Sequence, residues 1–163
     1  MQRFFASLAM TPTMRRAYLG LGSNLGDRRA NIERALQQLN ENGIEVQRVS
    51  SLYRTEPVGY TEQPWFVNCV AEVLTDLMPL QLLRRCQIIE RALGRRPGPR
   101  NAPRPIDIDI LLYENAVVRS AEVTIPHSRL AERRFVLVPL REIAAGAEHP
   151  VSGRTVRELL QVT

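Results

Sequence analysis

Two aspartates one residue apart, Asp107 and Asp109, stand in the run Arg104-Pro105-Ile106-Asp107-Ile108-Asp109-Ile110. Apolar and acidic residues alternate with a period of two and the isoleucines are β-branched. The run therefore predicts a β-strand with both carboxylates on one face. At a rise of about 3.3 Å per residue their Cα atoms lie roughly 7 Å apart. Like charges that close repel, and divalent cations would neutralise them. Two ions about 3.5 to 4 Å apart are the arrangement of two-metal phosphoryl chemistry. The pair is a candidate metal site. The same pattern also describes the wet face of an amphipathic strand, the commoner case for an isolated Asp-x-Asp.

Directly upstream, residues 94–104 hold four arginines and three prolines in eleven residues. Such a segment forms neither a helix nor a central strand. As a basic loop leading into an acidic strand it suggests a clamp for a polyphosphate, against the plainer reading of a solvated loop. All 22 basic residues are arginine. That excludes a lysine Schiff base and a P-loop lysine, and leaves phosphate binding to bidentate guanidinium forks. The formal charge of +5 admits anionic ligands or nucleic acid without demanding either. Cys69 and Cys86 are far apart and show no C-x-x-C spacing, which argues against zinc and disulfides and for core residues in a reducing cytoplasm. At 163 residues a single domain is expected, and no apolar run approaches the roughly 18 residues needed to cross a bilayer.

The remaining elements must place these groups. Residues 17–27 read as a strand, a glycine-rich turn and the start of a helix. A dinucleotide fingerprint would need glycine where Leu25 stands, so close packing is the preferred role of Gly20 and Gly22. Spacing predicts a helix over 28–39, a strand over 44–53, a loop over 55–64 and a strand over 65–73 that puts Phe66, Asn68 and Val70 on one face. A ring beside an amide suits a planar heterocycle, although core packing is the commoner explanation. A helix over 79–93 follows, with Asp76 as its cap and Gly94 as its stop. Glu114-Asn115 is expected to turn the acidic strand into a hairpin with residues 116–118. Thr124 and His127 precede Arg129, Arg133 and Arg134, and helices are expected over 135–145 and 155–160. Residues 1–13 read as a disordered tail ahead of an alternative start at Met14.

Gly22-Ser23-Asn24-Leu25-Gly26, Tyr53-Arg54-Thr55, Gln63-Pro64-Trp65-Phe66-Val67-Asn68, Arg104-Pro105-Ile106-Asp107-Ile108-Asp109, Pro126-His127 and Arg133-Arg134-Phe135-Val136-Leu137-Val138-Pro139-Leu140, in that order, closely resemble the 6-hydroxymethyl-7,8-dihydropterin pyrophosphokinases of folate biosynthesis. The resemblance implies an α+β, ferredoxin-like antiparallel sheet with helices packed on it, as one domain over 14–163. It implies two Mg²⁺ ions and transfer of diphosphate from ATP to the pterin hydroxymethyl group with release of AMP. By the same resemblance Asp107 and Asp109 are the metal ligands and, with Arg95 and Arg104, the catalytic set. Thr55, Val58, Phe66, Asn68 and Phe135 would hold the pterin, and Gln87, Arg95, Arg104, Thr124, His127 and Arg133 would hold ATP. A cytoplasmic monomer that binds these small molecules, with no nucleic acid or membrane partner, is expected.

The sequence departs from the family pattern in three ways. Asn101-Ala102 stands where Trp-Gly is frequent, and the basic loop is slightly shorter, which leaves Arg95, Arg96 and Arg100 as rivals for the phosphates. Ser128 stands where a tyrosine can follow the histidine. The alternatives from other classes are a ferredoxin-like nucleic-acid-binding module and a nucleotide-binding domain without chemistry.

Overall fold

The computed structural model describes residues 13–59, 61–99 and 102–163. The expectations for residues 1–12, Arg100 and Asn101 lie outside the described residues. Alternating burial builds the main sheet from β1 (Arg15–Ser23), β2 (Ile44–Val49), β3 (Tyr53–Thr55), β4 (Phe66–Thr75) and β5 (Asp107–Tyr113). Its order is β2-β4-β1-β5, every neighbouring pair is antiparallel, and β3 pairs with β4 beyond the end of β2. Helix α1 (Arg28–Glu41) follows β1 and helix α2 (Pro79–Ala92) follows β4, which gives the ferredoxin-like course expected.

Local chemistry sets the helix ends. The Asp27 carboxylate accepts the Ala30 N–H at 3.1 Å to open α1. Helix α2 opens at Met78, not Asp76, because the Gln81 side chain accepts the Met78 N–H at 2.9 Å and Pro79 occupies the first turn. Gly94, at φ +105°, takes the left-handed conformation that releases the chain into the basic loop.

Helices α1 and α2 cover one sheet face. There Ile32, Leu39, Leu82 and Ile89 pack on Leu19, Leu21, Ala71 and Ile108. The other face is covered only in part, by α3 (Arg134–Ala144) and α4 (Val156–Gln161), through Leu137, Leu140 and Leu159 against Val70, Leu111 and Leu112. Cys69 and Cys86 are free and buried, and burial pushes both thiols up to about 12. They are inert core residues.

Two expectations are corrected. The strand over 44–53 is two strands, because after Val49 the Ser50 hydroxyl accepts the Val70 N–H at 2.9 Å in place of a backbone carbonyl; a register shift between Val46 and Arg48 falls within β2 itself. The hairpin after β5 does not form. The Glu114 N–H donates to the Arg16 carbonyl at 2.8 Å and the Arg16 N–H donates to the Glu114 carboxylate at 2.8 Å, which holds the turn against β1, and β6 (Val118–Arg119) pairs with β7 (Thr124–Ile125) in a separate two-stranded sheet.

Candidate active site

The partly covered sheet face becomes a trough because β1 contributes glycine there. In register across the sheet, Gly22 lies between Asp107 and Asn68, and Gly20 between Asp109 and Val70. A Cβ on Gly22 would meet Asn68 Oδ1 at 2.5 Å and the Phe66 ring at 3.4 Å, so only glycine fits without a shift. Close packing, rather than a nucleotide cradle, is the role of this glycine.

A cleft of about 720 Å³, counting its open mouth, occupies the trough. Thr55, Val58, Phe66, Asn68 and Phe135 line it, and so do Arg104, Asp107, Asp109 and Arg133. Asn68 donates a hydrogen bond from Nδ2 to the Thr55 hydroxyl. Its Oδ1 accepts none from the described residues and remains available to a ligand. The Arg104 guanidinium stacks over Phe66 at 5.0 Å and that of Arg133 over Phe135 at 5.4 Å, so each ring carries a cation.

Asn24, almost fully buried, ties three loops together. It accepts the Arg104 N–H at 2.9 Å and donates to Gln63 Oε1 at 2.7 Å and to the Pro64 carbonyl at 3.2 Å. Arg104 thereby enters the cleft on a fixed backbone. Its Nη1 donates to the Ala102 carbonyl at 2.8 Å and its Nη2 lies 3.4 Å from Asp107. Its Nε is buried and has no hydrogen-bond partner.

Arg95 does not line the cleft but reaches Asp107 from behind. Its Nη1 is 2.6 Å from Asp107 Oδ1 and 2.9 Å from Glu90 Oε2. Arg96 only touches the Arg95 carbonyl, so of these two the geometry brings Arg95 to the aspartates. Glu90 was missed by the sequence reading. It stands four residues after Cys86 on the buried stripe of α2, and a carboxylate at that spacing was the available signal.

The local field is unbalanced. Burial, reinforced by Asp107 and Glu90, pushes the Asp109 carboxyl up to about 7. No described residue donates a hydrogen bond to Asp109. Two carboxylates on one strand face, one of them short of positive charge, form a hard oxygen donor set that fits a divalent cation. Among the described residues no group of three or more His, Cys, Asp or Glu could hold a metal by itself. The rest of a coordination shell would fall to phosphate oxygens and water.

A second cavity, about 510 Å³ with its mouth, is lined by Leu83, Ile108, Ile110, Glu122, Thr124 and His127. Asp109 lines both cavities and stands between them. Burial, with Arg133 next, lowers the His127 pKa, so the ring is neutral near pH 7, and its Nδ1 accepts the Arg129 N–H at 3.2 Å. Gln87 lines neither cavity. It is exposed on α2, one turn beyond Leu83.

Residues 18–145 match the family described as 7,8-dihydro-6-hydroxymethylpterin-pyrophosphokinase. The chain is 49% identical over 148 residues to the 2-amino-4-hydroxy-6-hydroxymethyldihydropteridine pyrophosphokinase of Methylorubrum extorquens, covering 90% of this chain and 92% of that one. The Bacillus subtilis protein of the same name is 41% identical over 148 residues, with 90% and 89% covered. The folic acid synthesis protein fol1 of Schizosaccharomyces pombe is 46% identical over 145 residues, 88% of this chain, but the match spans only 20% of that protein's length. The wild-type HPPK-DHPS crystal structure from Plasmodium falciparum superposes with a TM-score of 0.75 at 16% identity, over 95% of this chain and 46% of that one, a likeness of fold. Sequence matches on this scale, on a fold that sets Asp109 between two cavities with Asp107 beside it in the first, mean that the chain belongs to the 7,8-dihydro-6-hydroxymethylpterin-pyrophosphokinase family.

Proposed function

We propose that the chain transfers the terminal diphosphate of ATP to the hydroxymethyl oxygen of 6-hydroxymethyl-7,8-dihydropterin and releases AMP, as a step of folate biosynthesis. The observation that carries this reading is the place of Asp109, shared by a cleft with an amide and two rings and by a second cavity with Thr124 and His127. The pterin lies in the first cleft. Phe66 and Phe135 stack on it, Asn68 and Thr55 read its edge, and Val58 adds apolar contact. ATP takes the second cavity, with Thr124 and His127 toward the nucleoside and Arg95, Arg104 and Arg133 toward the phosphates. Gln87 belongs to this set as an outer contact.

Asp107 and Asp109 would hold two Mg²⁺ ions, which supply charge neutralisation at the phosphates and alignment of the two substrates. The residues themselves do little covalent work. They exclude water, orient the hydroxymethyl group toward the β-phosphorus and spread the negative charge of the leaving AMP over arginine donors. The reading includes a monomer in the cytoplasm, and no helix among the described residues is long and apolar enough to cross a membrane. A nucleic-acid surface is disfavoured, because Phe66 and Phe135 line a concave cleft beside two carboxylates instead of standing on an open sheet.

Turnover tests the proposal. Purified protein with Mg-ATP and the pterin should form AMP only when the pterin is present. ADP, or no product from folded protein, would contradict it.

Two narrower results are expected. Gly22→Ala should weaken pterin binding about tenfold, since the overpacking of roughly 1–3 kcal/mol falls on Asn68 and Phe66. Quenching of pterin fluorescence measures this. The second concerns pH. In metal-free protein the Asp109 pKa rises from its ordinary 3.8 to about 7, so the folded chain holds a proton that the unfolded chain has lost. The stability this group contributes is complete below 3.8 and is lost as pH climbs through about 7. Between about pH 4 and about pH 7 the wild-type Tm should therefore fall relative to that of Asp109→Asn, and level off above. Parallel curves would show that Asp109 is not the titrating group.

A further inference from the structure

Arg95 is shared. One nitrogen, Nη1, contacts Glu90 at 2.9 Å and Asp107 at 2.6 Å, while its Nε and Nη2 make no hydrogen bond to a described residue. Glu90 is only 8% exposed, and the oxygen that holds Arg95 also accepts the N–H of Ile108 at 2.8 Å. Ile108 separates the two aspartates, so Glu90 is pinned to the strand that carries them. We infer that Glu90 is a positioning residue that keeps Arg95 beside the aspartates when a cation takes Asp107, and so sets how readily arginine is exchanged for metal there. The inference rests on the reading of Asp107 and Asp109 as the cation site.

The physical reason is the cost of a buried, unpaired carboxylate. Glu90 loses heavily if Arg95 leaves, whereas Asp107 is more open and can trade the arginine for a divalent ion. A cation arriving at Asp107 then turns Arg95 about its Glu90 contact instead of expelling it, and leaves Nε and Nη2 free for phosphate oxygens. Without the Glu90 charge, Asp107 becomes the only carboxylate within ion-pair distance of Arg95 among the described residues, and the guanidinium competes with the metal.

Uptake of Mn²⁺ alone, followed by loss of the free-ion electron paramagnetic resonance signal, tests this without any turnover. Glu90→Gln keeps an acceptor for the Ile108 N–H but loses the charge, and should weaken Mn²⁺ binding about tenfold, the scale of a nearby charge acting on an ionised group. Arg95→Gln should tighten it several-fold. The effect of Glu90→Gln should largely disappear when added to Arg95→Gln, which a merely structural or through-space role of Glu90 would not produce. Equal weakening with and without Arg95 would overturn the inference, as would weaker binding in Arg95→Gln if Glu90→Gln failed to fold. No uptake by wild type, or uptake unchanged in Asp107→Asn, would instead remove the cation reading on which the inference stands.

Discussion

Asp109→Ala should lower turnover by at least about 10²- to 10³-fold at saturating Mg²⁺, ATP and pterin, the scale of losing one preorganised group that acts on transition-state charge. The protein should remain folded and melt no lower than wild type near neutral pH. The reason lies in β5. Its alternation buries Ile108 and Ile110 and leaves Asp109 on the opposite face beside Asp107. There burial and two like-charged neighbours push the carboxyl up to about 7, and no described residue donates to it. A group that the fold holds against its own preference is a candidate for function rather than stability. Asp107→Ala should cost at least as much, with the added loss of the partner of Arg95 and Arg104. Near-full turnover by either variant in saturating Mg²⁺ would refute the two-ion assignment.

Arg104→Ala should cost about 3–4 kcal/mol, or about 10² to 10³ in kcat, with smaller changes in KM. Three contacts aim this side chain. Asn24 fixes its backbone, the Phe66 ring lies beneath its guanidinium, and Asp107 sits 3.4 Å from Nη2. Its buried, unpartnered Nε is a donor that folding leaves unspent and a phosphate oxygen can satisfy. Arg104→Lys should rescue little, because an ammonium has neither the planar fork nor the stacking face. Comparing the kcat of the two variants checks this, and recovery of most of the activity by lysine would reduce Arg104 to a simple point charge.

The acidic strand, the basic loop and the aromatic-amide strand were legible because each rests on local rules. Alternation with a period of two fixes which side chains share a face, and proline with glycine excludes regular structure. The break at Ser50 was not legible, since the N–H that its hydroxyl takes belongs to Val70, on another strand of the sheet. The hairpin failed for a similar reason. Glu114-Asn115 does turn the chain, but pairing is decided by Arg16 on a strand nearly one hundred residues away. The Asp76 cap lost to Met78 and Gln81, a contest between neighbours that propensity alone does not settle.

At the site, Thr55, Val58, Phe66, Asn68 and Phe135 meet around one cleft although they come from three separate parts of the chain. That convergence was expected from resemblance and not from spacing. Glu90 was overlooked because an acid between Ile89 and Arg91 reads as the polar side of a helix. Its distance from Cys86 places it on the buried side instead. Gln87, proposed as an outer contact for ATP, is exposed on α2 and lines neither cavity.

The most direct test of diphosphate transfer is to follow labelled phosphorus through a single turnover, using ATP labelled at either the α or the β position with the pterin and Mg²⁺. Attack at the β-phosphorus breaks its bond to the oxygen that bridges the α- and β-phosphorus. The β label should then move wholly into the pterin product and the α label remain wholly in AMP. A β label left in ADP, or an α label carried to the pterin, would contradict the account.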